Sequence, residues 1–369
     1  MKAQGYQPAS LLVTGGAGFI GANFVHYWLA KYPENRIVVL DALTYAGNLR
    51  SLGPSARKPD YRFVHGDIGN RDLVERILRE DAIDTIVHFA AETHVDRSIH
   101  GPDAFIETNI VGTHALLRAA RSVWLNDKSP LERHRFHHVS TDEVYGSLAE
   151  CDPGFTESTR YAPNSPYAAS KASSDHLVRA YRHTYGLHTT ISNCSNNYGP
   201  CQFPEKLIPL MIINVLLGKP LPIYGNGMNI RDWLYVGDHC LGIDLVIRHG
   251  QIGRTYNIGG NNEWRNIDIV RLLCRLLDDA FTRDRALSIR FPDAPPASGG
   301  KSEDLITFVE DRPGHDWRYA IDTSGIEREL GFSPKETFET GIRKTIDWYL
   351  ENERWWRDVM NGERFQGYE

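Results

Sequence analysis

Long apolar runs, paired cysteines and an excess of basic charge are all missing from this 369-residue chain. No stretch approaches the ~18 consecutive apolar residues of a membrane-spanning helix, so no span is expected. The five cysteines, Cys151, Cys194, Cys201, Cys240 and Cys274, are odd in number, scattered and in no CxxC pair. That argues against a disulfide framework and fits a reducing cytoplasm. A formal net charge of −6, with both signs interspersed, leaves no basic face for nucleic acid and no polybasic membrane patch. The opening MKAQGYQPAS is polar, without the apolar centre of a signal peptide, and reads as a lead-in to a first strand. Fifteen histidines are present, three of them in HRFHH (His134, His137, His138). On a strand His137 and His138 face opposite sides, and no ligand spacing accompanies them, so no metal site is expected.

The length suits two domains, or one large α/β domain with a smaller lobe. Near-continuous apolar runs recur as strand candidates: 10–15, 36–41, 61–67, 85–92, 135–141 and 188–195. Helical patterns lie between them, one of them with Ile110, Leu117, Ala120 and Trp124 on a single stripe. This alternation predicts an α/β fold, a doubly wound parallel sheet of the Rossmann type covered on both faces. After about Tyr198 the rhythm breaks, and Pro and Gly crowd the segments that follow. The expected division is a nucleotide-binding domain over 1–195, with returning segments near 229–262 and 317–331. The remaining segments to 369 then form a smaller C-terminal α/β lobe closed by an amphipathic helix, GIRKTIDWYLENERWW.

VTGGAGFIGANFV follows the first strand directly, with Gly15, Gly18 and Gly21 at GxxGxxG spacing. Glycines are needed where the turn is tight, where backbone approaches a diphosphate and where helix packs on strand. The helix N-terminus then points its amides at the phosphates. The second strand ends in Asp41, whose carboxylate would accept from a ribose 2′-hydroxyl and repel a 2′-phosphate, which predicts NAD rather than NADP. Asp67 ends the third strand, facing adenine or serving as an ordinary turn aspartate.

SPYAASKASSDH carries Tyr167 and Lys171, four apart on one helix face. Ser165 is suited to cap that helix and Pro166 to begin it. Lys171, the helix N-terminus and a nicotinamide cation would together lower the phenol's pKa and make it a base. The stretch HHVSTDEVYGS raises a further question, because Thr141, Asp142 and Glu143 fall where the fifth strand ends. The two acids are either solvated loop residues or an acid and a base.

The strings TGGAGFIG, AAETHVDRS, STDEVYG, YAASK, NCSNNYGP, PEKLIP, LPIYG, RDWLYV, TYNIGG and DRPGHDWRYAID, spread over nearly the whole chain, resemble the extended short-chain dehydrogenases/reductases. Within them the chain is most similar to the nucleotide-sugar 4,6-dehydratases, with Thr93 where serine is expected. The resemblance implies a nucleotide-sugar substrate, dTDP-glucose, and an NAD cofactor that ends the cycle as it began. Tyr167, assisted by Thr141, would take the C4 hydroxyl proton as hydride leaves. Glu143 would then remove the C5 proton while a protonated Asp142 gives its proton to the departing C6 hydroxyl. Cofactor contacts are implied from Gly15, Gly18, Phe19, Ile20, Gly21, Asp41, Leu43, Thr44, Asp67, Ile68, Ala90, Ala91 and Asn197, with Tyr167 and Lys171. Substrate contacts are implied from Thr93, Asn196, Glu205, Lys206, Leu207, Leu221, Ile223, Tyr224, Arg231, Asn266, Asp311, Arg312 and His315, with Asp96 and Arg97 nearby. A structural lobe residue is the competing reading for each. A homodimer is implied through the helices near Ile110–Trp124 and Lys171–Tyr185, although core-facing stripes would look the same. A 4-epimerase shares the fold and the YxxxK motif but has no use for the Asp142–Glu143 pair. A non-catalytic NAD-binding regulator would not need Thr141, Tyr167 and Lys171 together, and a plain alcohol dehydrogenase would accumulate NADH.

Overall fold

The Val- and Ile-rich runs form strands whose residues alternate between two helix-covered faces. A computed structural model describes residues 5–126, 133–311 and 314–361. The strands are β1 (Ser10–Thr14), β2 (Arg36–Asp41), β3 (Tyr61–His65), β4 (Thr85–His88), β5 (Arg135–Thr141), β6 (Thr189–Cys194) and β7 (Asn196–Tyr198). They continue with β8 (Leu221–Tyr224), β9 (Ile230–Tyr235), β10 (Thr255–Ile258), β11 (Glu263–Arg265), β12 (Ile306–Val309) and β13 (Arg318–Tyr319). Seven of them build the main sheet in the order β10-β6-β5-β4-β1-β2-β3, every neighbouring pair parallel. Leu11, Val13, Ile37 and Val39 enter the core on one face with the helices Phe19–Lys31 and Val236–His249. Leu12, Val38, Leu40 and Ile86 enter the core on the other. This is a doubly wound sheet, and its order reverses between β1 and β4, where such folds open a crevice.

The strand run expected over 85–92 stops at His88. Its partner there is Thr14, the last residue of β1, and the next residue, Gly15, leaves the sheet at φ 69°. Phe89 N still donates to the Thr14 carbonyl at 3.0 Å, and residues 90–92 then cross the C-terminal edge as a loop. The helical stretch from Asp103 to Asn126 contains two π segments, Ile106–Gly112 and Ser122–Asn126. Each π turn delays the helical face. Leu117, Ala120 and Trp124 are buried as the stripe predicts, but in the first π segment Asn109 and Gly112 turn inward while Ile110 is only half-buried.

Beyond Tyr198, β9 pairs with β7, β11 and β13, and β8 pairs with β12. A separate apolar core gathers the helices Leu207–Leu216, Asn266–Arg283 and Phe338–Glu351. Of the segments expected to return, Val236–His249 and β10 pack on or join the main sheet, whereas β9 and β13 lie in the second sheet. The closing helix is two helices, Phe338–Glu351 and Glu353–Met360, broken at Asn352. No described helix is long and apolar enough to cross a membrane. His137 contacts Thr190 and Ser192, while His138 faces Asp175 from the other side of β5.

Candidate active site

A cleft of about 310 Å³ opens at the C-terminal ends of β1, β2, β4, β5 and β6. Its floor is the glycine turn. A side chain at Gly15 would press within 2.6 Å of the Ala90 amide, and one at Gly21 would collide with the Gly15 carbonyl. The turn therefore holds backbone where side chains would otherwise fill the cleft. The helix Phe19–Lys31 begins there without a side-chain cap and without an acid in its first turn. Its leading amides are thus available to an anion.

Asp41, at the end of β2, ties this turn down. One carboxylate oxygen accepts from Ala17 N at 2.9 Å and the other from Leu43 N at 2.8 Å. Burial pushes its pKa up, and those two backbone donors oppose the shift. Each oxygen keeps a second lone pair for a ribose hydroxyl. Asp67 caps its own turn, accepting from Gly69 N at 2.6 Å, and also lines the cleft. The turn role of Asp67 is thus met, and its place in the lining keeps it within the cleft.

On the opposite wall β5 ends at Thr141, and Asp142–Tyr145 form one turn of 3₁₀ helix. The Thr141 hydroxyl caps that turn by accepting from Glu143 N at 3.3 Å. It also donates to Asp142 Oδ1 at 3.3 Å. Asp142 is 1% exposed, and its Oδ2 is buried without a partner. Burial first, then the negative charges of Glu143 and Asp232, hold its carboxyl well above the usual carboxylate range. Both influences favour its proton-carrying form.

Ser165 accepts from Ala168 N at 3.1 Å, Pro166 follows, and Tyr167 sits in the first turn of the helix Pro166–Tyr185, as its sequence implies. Thr141 hydrogen-bonds the Tyr167 phenol. The chain's own groups do not by themselves lower the phenol's pKa. Burial, followed by the charges of Glu143 and Cys194, raises it well above normal, and Thr141 offsets this only in part. Lys171 is 4% exposed and gives its one described hydrogen bond to the Val139 carbonyl at 2.9 Å.

The cleft gathers Gly15, Gly18, Phe19, Ile20, Gly21, Asp41, Thr44, Asp67, Ile68, Ala90, Ala91 and Asn197 with Thr141, Asp142, Glu143, Tyr167 and Lys171. Of the substrate-side expectations it gathers Thr93, Asn196, Glu205 and Lys206. Lys206 Nζ reaches the Thr93 carbonyl at 3.2 Å, and Glu205 accepts from Arg97 at 3.2 Å. Leu43 and Leu207 lie outside the lining, as do Leu221 and Ile223, which belong to the second core. Arg231 is buried, donating to the carbonyls of Ile230, Asp316 and Trp317, and its charge acts on Asp142. Tyr224, Asp311 and His315 cluster apart from the cleft, with His315 Nδ1 at 2.7 Å from Asp311 Oδ1. Asn266 opens the helix Asn266–Arg283, and Arg312 lies outside the described residues.

Sequence reading passed over Tyr45, Asn109, Gln202 and Phe203. The Arg97 guanidinium stacks on the Tyr45 ring at 3.8 Å, and that ring meets Phe203 edge-on at 5.4 Å, closing one end of the cleft. Asn109 accepts from Glu92 N and donates to Glu92 O and Ser170 Oγ, fixing the loop after β4 to the Tyr167 helix. A π segment turns it inward, and 3.6-residue periodicity carries no sign of that.

Residues 12–345 match the family model described as GDP-mannose 4,6 dehydratase. The chain is 54% identical over 355 residues to the dTDP-glucose 4,6-dehydratase of Neisseria meningitidis, covering 95% of this chain and 96% of the relative. That of Salmonella typhimurium is 54% identical over 363 residues, with the same coverage. The fold superposes on the crystal structure of dTDP-glucose 4,6-dehydratase from Streptomyces venezuelae, solved with NAD and TYD bound. The TM-score is 0.84 at 47% identity, covering 95% of this chain and 99% of that one. A UDP-glucose 4-epimerase of Thermus thermophilus, in complex with NAD, follows at 26% identity and TM-score 0.77, covering 93% and 99%. With a cleft of this geometry and relatives this similar along almost its whole length, the chain belongs to the nucleotide-sugar 4,6-dehydratase family.

Proposed function

We propose that this protein dehydrates dTDP-glucose to dTDP-4-keto-6-deoxyglucose with NAD as a catalytic, regenerated cofactor. The glycine turn, the uncapped helix start and Asp41 suit the cofactor's diphosphate and ribose. NAD, when bound, supplies a nicotinamide that accepts one hydride from the sugar and gives it back. Tyr167, hydrogen-bonded to Thr141, takes the proton of the C4 hydroxyl, and the ketone so formed makes the C5 hydrogen acidic. Glu143 removes that hydrogen as a proton. Asp142, already protonated, passes its proton to the C6 oxygen, so the hydroxyl leaves as water. Neighbouring residues project in different directions, so the two carboxyl groups reach adjacent carbons.

The observation that carries this reading is the buried, partnerless Oδ2 of Asp142 beside Glu143 in the same cleft as Tyr167. A 4-epimerase removes no hydroxyl and has no task for such an acid. Thymidine as the nucleoside follows the relatives. The deciding experiment incubates the protein with dTDP-glucose carrying deuterium at C4 and no added reductant. The expected product is lighter by one water, with the deuterium at C6 of the same molecule. A product of unchanged mass and inverted C4 would replace this reading with epimerisation.

A further inference from the structure

Lys171 is an ammonium in an awkward place. It is almost entirely buried at the edge of the cleft, and its one described hydrogen bond is to a neutral carbonyl, Val139 O at 2.9 Å. A buried charge with so little compensation tends to lose its proton. One turn further along the same helix and fully buried lies Asp175, which the functional reading leaves without a task. Asp175 Oδ2 accepts from Ser140 Oγ at 3.0 Å and from the Tyr161 hydroxyl at 2.8 Å. Its Oδ1 makes no hydrogen bond and stands 3.3 Å from His138 Nε2. His138 lies ring to ring with His88 at 5.1 Å, and burial keeps both imidazoles well below their usual pKa, hence neutral.

We propose that Asp175 is the positioning residue of the reaction, the countercharge clamped by Ser140 and Tyr161 that keeps Lys171 protonated beside Tyr167. This rests on the roles given above to Tyr167 and Lys171. The titratable and charged groups that face Asp175 are Lys171 and Arg179 on its own helix, His138 on β5, Tyr161 before the helix and Tyr145 of the 3₁₀ turn. Behind His138 stands His88 of β4. With both imidazoles neutral, Asp175 is the buried carboxylate one helical turn from Lys171, acting on it through space without a direct hydrogen bond. Lys171's pKa is lowered by burial, and Asp175 is the foremost influence opposing the fall. Burial raises the Asp175 carboxyl to about 6, with Lys171 and then the Tyr161 and Ser140 hydroxyls holding it down. Without the Asp175 charge Lys171 would give up its proton at a lower pH, so the loss appears on the alkaline side.

The test uses the NAD-loaded full chain with dTDP-glucose, measuring kcat and KM between about pH 5 and 9. Asp175→Asn keeps the shape and removes the charge. Its kcat should fall about tenfold or more at neutral pH, with KM changed by no more than about twofold, and Asp175→Glu should recover part of the loss. Tyr161→Phe keeps the charge and removes one donor. Its kcat and alkaline limb should stay close to those of the unaltered enzyme, whereas the alkaline limb of D175N should move to lower pH. A D175N enzyme with unaltered kcat and alkaline limb, or a Tyr161→Phe enzyme as impaired as D175N, would reduce Asp175 to a structural anchor. Water loss from dTDP-glucose by the unaltered protein is the control, and its failure would count against the functional reading instead.

Discussion

The Thr141 hydroxyl donates to Asp142 Oδ1 at 3.3 Å and leaves Asp142 Oδ2 buried and without a partner. One oxygen of the carboxyl is satisfied by its own chain neighbour, and the other is left to carry a proton into the cleft. The arrangement makes the two halves of the reaction separable. Asp142→Asn preserves the shape, the Thr141 contact and Tyr167, but removes the acid. Mixed with dTDP-glucose, this variant should still oxidise C4, seen as a rise in NADH absorbance, while water loss slows by about 10²–10⁴. Normal dehydration by the variant would reassign the acid.

Glu143 is given the complementary task, and deuterium oxide reports on it. In the unaltered enzyme C5 should acquire deuterium during turnover. Glu143→Gln should form the C4 ketone yet show exchange at C5 slower by about 10²-fold or more, measured by mass spectrometry of the sugar. Exchange at the original rate would move the base elsewhere in the cleft.

The glycine turn gives a steric prediction. A methyl group at position 21 meets the Gly15 carbonyl and lies 2.8 Å from Gly16 Cα, and backbone has no flexible end with which to yield. Gly21→Ala should destabilise the protein by about 1–3 kcal/mol in denaturant melts. It should also weaken NAD binding about tenfold or more by calorimetry. Equal affinity in the variant would show that the turn does not receive the diphosphate.

Asp142 also predicts how stability changes with pH. Its pKa in the folded protein is raised above the unfolded value of about 3.9. A raised carboxyl favours the fold fully below the unfolded pKa, and that contribution is lost as pH rises through the folded value. Asp142→Asn has no such dependence. The melting temperature of Asp142→Asn minus that of the unaltered protein should therefore become more positive as pH rises above about 4. A difference that stays flat with pH would mean that the buried carboxyl is not protonated in the fold.

Legibility in the sequence followed locality. The sheet was readable because Leu11 to Val13 and Ile37 to Leu40 are apolar on both faces, as burial from two sides requires. The cleft was readable where its parts lie within one turn of each other, as with Gly15 to Gly21 or Tyr167 and Lys171. Distant pieces were harder. Arg231 suggests an anion partner by its type, yet its guanidinium is engaged by the carbonyls of Asp316 and Trp317, some 85 positions away in the chain. The depth at which the Tyr167 phenol is buried, and the Glu143 charge beside it, arise only once the strands are assembled.

The last strand of the main sheet, β10, arrives after the whole of β7 to β9 has been laid down elsewhere, and it covers the exposed rim of β6. A nascent chain released before residue 255 would carry that rim bare, with Ile191 and Ser192 offering unsatisfied amides and carbonyls to any passing strand. Sequence-distant pairing of this kind slows folding. The protein is thus most prone to aggregate during synthesis, and shortened versions that keep every catalytic side chain would be expected to precipitate rather than work.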